Sequence, residues 1–381
     1  MSSPTITRPT QRTLEEMIAE VSPVLAANVA RHDVEGSFIT EAYDAMRETG
    51  FLAAAVPVEL GGAGATLREL SFAHYELARH CGSASLASAM HTHTVATLAW
   101  RFRRGAPVSG PLQKVVDGGL TLISTGGSDL LHPTAKARRV DGGFIINGRK
   151  IFASQSPVAT MLATAAVVED EAPEIVMLSI PMSAPGDRIE ETWDAHGMRG
   201  TGSHDVVLED VFVADAQAGA RRPLDKLDPL IRIALINGLT IITGVYLGLV
   251  RAARDEVVAR LSGSARASDP ATQRLAGQVE YEFEAASLAF EGALARLGDD
   301  PESTFENFRL VNLAKRAVAE HGARAIEAAM SAVGGEAYFR RRPLERIARD
   351  FRAIAYHPMT PEATLFYAGR VALGGDPEVL K

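Results

Sequence analysis

The sequence holds a single cysteine, Cys81, in 381 residues. An intrachain disulfide is therefore excluded, and a reducing interior, the cytoplasm, is the expected compartment. Nothing around Cys81 would favour a thiolate, so it reads as a small core residue. A basic excess is also lacking: 39 Lys and Arg against 47 Asp and Glu leave a net charge of -8. This argues against a nucleic-acid binder, which needs a basic surface to neutralise phosphate. The segment Met1 to Thr13 is polar, with no basic stretch followed by an apolar run, so no export signal is expected. Ile233–Val250 is 18 residues without a charge, at the lower limit of a membrane span. Asn237, Thr240 and Thr243 interrupt it, and the run is predicted to be a buried helix at the centre of a bundle. Fixed-period repeats and low-complexity segments are missing too, which leaves an ordinary globular chain of two or three domains.

What is present divides the chain in three. Leu14, Met17, Ile18, Val21 and Leu25 recur at helical spacing. Thr40 to Glu48 predicts a second helix ended by Gly50, and Thr66-Leu67-Arg68-Glu69 is a capping box opening a third that runs towards His80. Ser83 to Arg103 predicts a fourth, apolar on most faces. Between Leu120 and Val213 short β-branched runs replace this pattern: Thr121 to Thr125, Phe144 to Ile146, Ile175 to Ile180 and Val206 to Val213. Asp141-Gly142-Gly143 is a hairpin signal. A mostly antiparallel barrel or sandwich is expected here. Long helices return at Ile231 to Leu261, Pro270 to Leu297 and Thr304 to Val333, with a fourth after Gly334-Gly335, as in an up-and-down bundle. The predicted class is α+β, mainly α: helical residues 1–119, β residues 120–222 and a helical bundle over 223–381.

Five segments, in order, carry a resemblance. They are Val56-Pro57-Val58-Glu59-Leu60-Gly61-Gly62; Ser124-Thr125-Gly126-Gly127-Ser128-Asp129; and Ile146-Asn147-Gly148-Arg149-Lys150. Trp193 to Ser203 with Leu208 to Val213, and Val333-Gly334-Gly335 with Pro343-Leu344-Glu345-Arg346 and Arg349-Asp350, complete the set. Together they resemble the acyl-CoA dehydrogenase family across nearly the whole chain. The resemblance implies a homotetramer or homodimer with FAD lodged between subunits, a small-molecule substrate such as an acyl-CoA, and an electron-transfer partner. It also implies flavin contacts at Leu122, Ser124, Thr125, Phe152, Ala153, Ser154, Gly334, Gly335 and Thr360, and substrate contact at Ser128. No metal, membrane or nucleic acid enters the picture.

The chemistry of that family needs a carboxylate to remove the α proton of the acyl group. The position of its Glu, eight residues after Asp350, is here Pro358, and the alternative site on the first bundle helix falls near Gly238. No Asp or Glu occurs between Pro229 and Val250. Two readings follow. In one, a flavin oxidoreductase dehydrogenates an acyl thioester with a relocated base, for which His357, Glu362 or Asp228 are candidates. In the other, the chain resembles the monooxygenases of the same fold, which take reduced flavin from a reductase, use oxygen and need no such base. His357 is then the leading catalytic candidate, with His91 or His93 a further one; two apart on one helix, only one of these can face the flavin. Arg260-Leu261-Ser262-Gly263-Ser264 is a degraded form of the family's pyrophosphate-holding Arg-x-x-Phe-Gly, which makes FMN a credible replacement for FAD. A flavin-binding or scaffold protein without catalysis is a third reading. The basic run Arg340-Arg341-Arg342 with Arg346, Arg349 and Arg352 is interleaved with acids and predicts a salt-bridged helix.

Overall fold

The computed structural model describes residues 12–224 and 226–379; residues 1–11, on which most of the expectation about an export signal rests, lie outside it. Five helices come first: α1 (Leu14–Glu35), α2 (Thr40–Thr49), α3 (Leu67–His80), α4 (Gly82–Arg103) and α5 (Ser109–Val116). Both α1 and α3 open with a reciprocal capping box, Thr13 with Glu16 and Thr66 with Glu69, which satisfies backbone N–H groups that a helix start leaves orphaned. The predicted Gly50 stop adopts φ 85°, a left-handed cap open to glycine at little cost.

The middle region is one eight-stranded sheet in the order β6-β7-β3-β2-β4-β5-β8, with β1 also paired to β4. Its strands are β1 (Leu122–Ser124), β2 (Ala135–Val140), β3 (Gly143–Ala153), β4 (Met161–Val168), β5 (Glu174–Pro181), β6 (Asp187–Glu190), β7 (His204–Ala214) and β8 (Ala218–Pro223). β1 and β2 lie end to end along the same edge of β4, both parallel to it: Ser124 is level with Ala163 and Ala135 with Ala166. Between them the chain leaves the sheet from Thr125 to Thr134, forming the short helix α6 (Gly127–Leu131). That excursion builds one wall of the site. Buried residues including Ile123, Phe144, Ile146, Leu162, Val206 and Val211 form the core of the sheet.

Helices α7 (Pro229–Leu261), α8 (Pro270–Leu297) and α9 (Phe305–Val333) form the bundle. α7 is long and apolar enough to cross a membrane, but 94% of its most apolar window is buried within the protein. It is the core helix that its sequence predicts, packed against α3, α4, α8 and α9. The single fourth helix expected from the sequence is instead two: α10 (Pro343–Phe351) and α11 (Pro361–Ala372). Pro358 and Pro361 lack the N–H that a continuous helix requires, so the chain opens into a turn between them. This break carries His357 and Pro358 to the edge of a cavity.

Candidate active site

The cavity, of about 700 Å³, lies where α4, α7, the α6 excursion, the ends of β3 and β7 and the α10–α11 turn converge. This is within the range of about 300–1,000 Å³ typical of small-molecule sites. Most of its wall is apolar, from Leu86 and Met90 on α4 to Leu235, Leu239 and Ile242 on α7. Phe152 and Trp193 meet edge to face at its rim, ring centroids 6.2 Å apart.

Two histidines furnish its chemistry. His93 is buried; its Nε2 lies 3.1 Å from Ser124 Oγ, and its Nδ1 has no hydrogen-bond partner. Gly238 on α7 stands over this ring: a Cβ there would come within 3.4 Å of His93 Cγ and 3.5 Å of Nδ1. Burial, reinforced by His91, depresses the His93 pKa to about 4, so the ring is neutral near pH 7. His357, across the cavity, has Nε2 2.8 Å from the hydroxyl of Tyr246. Burial raises the Tyr246 pKa well above the usual value, so its hydroxyl keeps its proton and can donate to Nε2. That assignment leaves Nδ1–H of His357 free as a donor. Burial, and then the charge of Lys315, holds the pKa of His357 down to about 3.

A hydroxyl chain lines the opposite wall. Ser154 Oγ lies 2.8 Å from Ser203 Oγ, which lies 2.7 Å from Thr201 Oγ1; Thr201 donates to the Met198 carbonyl at 3.0 Å. The α6 excursion is fixed from behind by Asp129. Its carboxylate accepts from Lys150 Nζ at 2.7 Å, from Thr125 Oγ1 at 2.7 Å and from Thr134 N at 3.0 Å. Burial alone would raise the pKa of Asp129, but the Lys150 charge and these donors outweigh it and hold the group below its ordinary value. Lys150 itself is 0% exposed. This pair is structural.

Of the candidate site residues named from the sequence, His93, Ser124, Thr125, Ser128, Phe152, Ser154 and His357 line the cavity. The others do not. His91 faces the opposite side of α4: its Nδ1 accepts the Leu122 N–H at 3.0 Å and its Nε2 donates to the Leu52 carbonyl at 2.9 Å. Both nitrogens are consumed by backbone, and His93 takes the cavity position instead. Leu122 and Ala153 are buried in the sheet and its packing. Gly334 and Gly335 sit in the turn after α9 with open space around them, and Thr360 is an exposed cap of α11. Neither carboxylate proposed as a relocated base reaches the cavity: Asp228 caps α7, and Glu362 is exposed beside Arg316. Gly238 and Pro358 both lie on the cavity wall, and among the described residues no Asp or Glu lines it. Arg260, from the degraded phosphate motif, is paired with Glu256 one turn earlier on α7. In the basic run, Arg349 bridges Asp33 and Glu345 and Arg342 pairs with Glu336, so those parts of the cluster are salt-bridged as anticipated.

Trp193 and Ser203 were marked in the sequence only as the ends of a family segment, with no site role attached, and Tyr246 gave no signal at all. Tyr246 lies within the charge-free run, where an aromatic reads as core. Only the break after α10 shows that its hydroxyl has a partner.

A flavin ring needs polar edges for its heteroatoms and an apolar wall that excludes water. The Ser124–Gly127 edge, the Ser154–Ser203 hydroxyls and the apolar face of α7 provide both, and the unpartnered His93 Nδ1 offers a buried hydrogen-bonding atom. The residues present fit such a group.

Comparison with known proteins agrees. Three family models match: acyl-CoA dehydrogenase N-terminal domain over residues 8–103, middle domain over 123–211 and C-terminal domain over 240–362. The chain is 30% identical to YdbM of Bacillus subtilis, whose name assigns it provisionally to the acyl-CoA dehydrogenases; the match covers 93% of this chain and 95% of that one. It is also 30% identical to the amino sugar nitrososynthase DnmZ of Streptomyces peucetius, over 96% and 94% of the two chains. Among solved structures, KijD3 in complex with FMN and dTDP-3-amino-2,3,6-trideoxy-4-keto-3-methyl-D-glucose superposes with a TM-score of 0.89 at 27% identity, over 98% and 96%. The chain belongs to the acyl-CoA dehydrogenase family.

Proposed function

We propose that this chain is the oxygenase of a two-component flavin system rather than an acyl-CoA dehydrogenase. In this reading it takes up reduced flavin, FMN foremost, from a separate reductase, and inserts one atom of O2 into a small molecule. The second oxygen atom leaves as water, and the two electrons come from the reduced flavin, which is released oxidised. The observation that carries the proposal is the wall of the cavity. Both positions where dehydrogenases hold their base, Gly238 and Pro358, face it without a carboxylate, while two neutral histidines stand there. A site with no carboxylate base, and with imidazoles that burial makes only weakly basic, suits oxygen transfer, where hydrogen bonds to oxygen are wanted and proton abstraction from carbon is not.

When bound, the flavin supplies the electrons and the site of oxygen activation. Ser124, Thr125, Phe152 and Ser154 would hold its ring, the apolar residues of α7 would keep water out, and the neutral His357 would present its Nδ1–H as a hydrogen-bond donor. His93 Nδ1 is the second hydrogen-bonding atom. The occupied Arg260 favours FMN over FAD, because the pyrophosphate of FAD loses its usual guanidinium. The nitrososynthase DnmZ and the KijD3 complex suggest an amine-bearing sugar nucleotide as the substrate to try first.

The test is oxygen uptake with enzymatically reduced FMN and that substrate, set beside an anaerobic titration with a short-chain acyl-CoA. Substrate-dependent formation of an oxygenated product is expected, with no acyl-CoA effect. Tight binding of oxidised flavin that acyl-CoA bleaches in the absence of oxygen would overturn the proposal.

A further inference from the structure

Behind the α10–α11 turn lies a cation that neither the dehydrogenase nor the oxygenase reading uses. Lys315, on α9, is 2% exposed. Its Nζ donates to the His357 carbonyl at 2.9 Å and to the Met359 carbonyl at 2.9 Å, the two carbonyls that flank Pro358. Among the described residues no carboxylate pairs with it. The same helix supplies Asn312, whose Oδ1 accepts the Met359 N–H at 3.3 Å and whose Nδ2 donates to the Phe308 carbonyl at 2.8 Å. One face of α9 thus grips the turn at three backbone atoms. The turn in turn holds the His357 ring against Tyr246, centroids 5.6 Å apart.

A buried ammonium without a counter-ion is a stability cost, which burial expresses by lowering the Lys315 pKa to about 8. A carbonyl clamp at a break in a helix could be made by a neutral amide such as Asn312 without that cost. The positive charge therefore calls for its own explanation. The ionisable groups that face the ring are Tyr246 from α7 and Lys315 from α9; Asp350 on α10 acts on Tyr246, not on the ring directly. Lys315 is the cation in this set whose charge bears on the ring.

We propose that Lys315 is the positioning residue of His357. By clamping the carbonyls on either side of Pro358 it fixes the imidazole with Nε2 on the Tyr246 hydroxyl, in the buried seat where the ring stays neutral and Nδ1–H remains a donor to the cavity. The importance of this for turnover rests on the oxygenase reading, but the positioning itself is a property of the flavin-free chain. It is therefore measured there.

Acylation of histidines by diethyl pyrocarbonate, followed peptide by peptide by mass spectrometry across pH 5 to 8, reads it directly. The reagent needs a neutral ring with an available lone pair, and in the native protein the Nε2 lone pair of His357 is covered by Tyr246. His357 is expected to react slowly, at a rate that changes little over this range. In Lys315→Met, of similar length but without charge or donors, His357 should react at least fivefold faster at pH 7. Its rate should fall by threefold or more from pH 7 to pH 5, as a ring freed from its buried seat, and from the neighbouring charge, becomes protonated. His196, at the cavity rim, serves as the internal control and should not change. A purely structural lysine would alter the melting temperature without giving His357 a pH dependence. If Lys315→Met does not fold, Lys315→Gln, whose shorter amide can hold only part of the clamp, is predicted to show the same two changes at smaller amplitude. Wild-type reactivity and a flat pH profile at His357 in either folded variant would overturn the proposal. Failure of oxygenase activity with an intact His357 response would count against the functional reading alone.

Discussion

At the scale of single residues, the site separates side chains that hold from side chains that act. Lys150 and Asp129 hold: the pair is sequestered, and each charge offsets the cost of burying the other. Removing one leaves an uncompensated buried charge, a loss of about 3–5 kcal/mol. Lys150→Met is therefore expected to lower the urea midpoint of unfolding sharply, and the double variant Lys150→Met with Asp129→Leu to recover much of that loss. A Lys150→Met protein as stable as the parent would show that the pair is not what anchors the α6 excursion. His357, in contrast, acts. His357→Ala should leave the melting temperature within a few degrees but reduce product formed per reduced flavin by about 10²-fold or more, the scale of a lost preorganised hydrogen-bond donor. Measuring product and oxygen uptake together separates the two, since flavin oxidation should continue without coupling to substrate. The histidine pair on α4 shows how far such roles can be read from sequence. Helix geometry requires His91 and His93 to point apart, but it does not say which one faces a cavity. The answer lies in β1, whose Leu122 N–H claims His91, a contact formed only once the helix packs on the sheet.

Elements were legible in proportion to how local their causes are. Helices α3, α8 and α9 match their predicted spans closely because capping boxes, Pro at the first turn and an apolar stripe are all local signals. β2, β4 and β8 gave no clear signal. Ala-Lys-Ala-Arg-Arg-Val in β2 and Ala-Gly-Ala-Arg-Arg-Pro in β8 are charged and small, while Met161–Val168 carries Ala where a strand usually has branched residues. They are strands because neighbouring strands complete their ladders. The break before α11 was foreshadowed by Pro358 and Pro361, but not its consequence, that the fourth position of the bundle is divided and the gap faces the site. Helix packing adds a prediction at this scale. Gly244 and Gly248, one turn apart on α7, let α3 approach so closely that a Cβ at Gly248 would lie 2.2 Å from the Tyr75 carbonyl oxygen, and one at Gly244 2.4 Å from that of Ser71. Backbone atoms cannot step aside as side chains do, so overpacking should cost at least the usual ~1–3 kcal/mol. Gly248→Ala is expected to lower the melting temperature by several degrees. Gly277→Ala, on the open face of α8 with nothing near its Cβ, should be neutral or slightly stabilising.

For the molecule as a whole, the unusual feature is the number of histidines kept uncharged inside it. Burial holds His74 and His357 down to about 3 and His91 and His93 down to about 4, against roughly 6.5 in an unfolded chain. Because the folded values are the lower ones, the stability these groups contribute is complete above pH 6.5 and is lost as pH falls towards 4. Asp350 opposes this: burial raises it to about 6, so folding is favoured on the acid side of that value and the benefit fades as pH rises through it. Asp187 is likewise raised to about 6 by burial, but it is only partly shielded and counts for less. At pH 5 the unfolded chain therefore binds about four more protons at the histidines and between one and two fewer at the aspartates. The balance is two to three protons, which corresponds to roughly 3–4 kcal/mol of stability lost per pH unit. Set against a total of about 5–15 kcal/mol for a typical folded protein, a slope of that size predicts a marked loss of stability below neutrality. Potentiometric titration of unfolding at pH 5 should register this net uptake directly, and the urea midpoint should fall steadily from pH 7 to pH 5. His74→Gln, which keeps a donor and an acceptor beside Ser85 and Thr92, should reduce the uptake by about one proton. A midpoint that stays level between pH 7 and pH 5 would mean that these rings are charged in the folded state, and the neutral His93 and His357 on which the cavity's chemistry depends would fall with them.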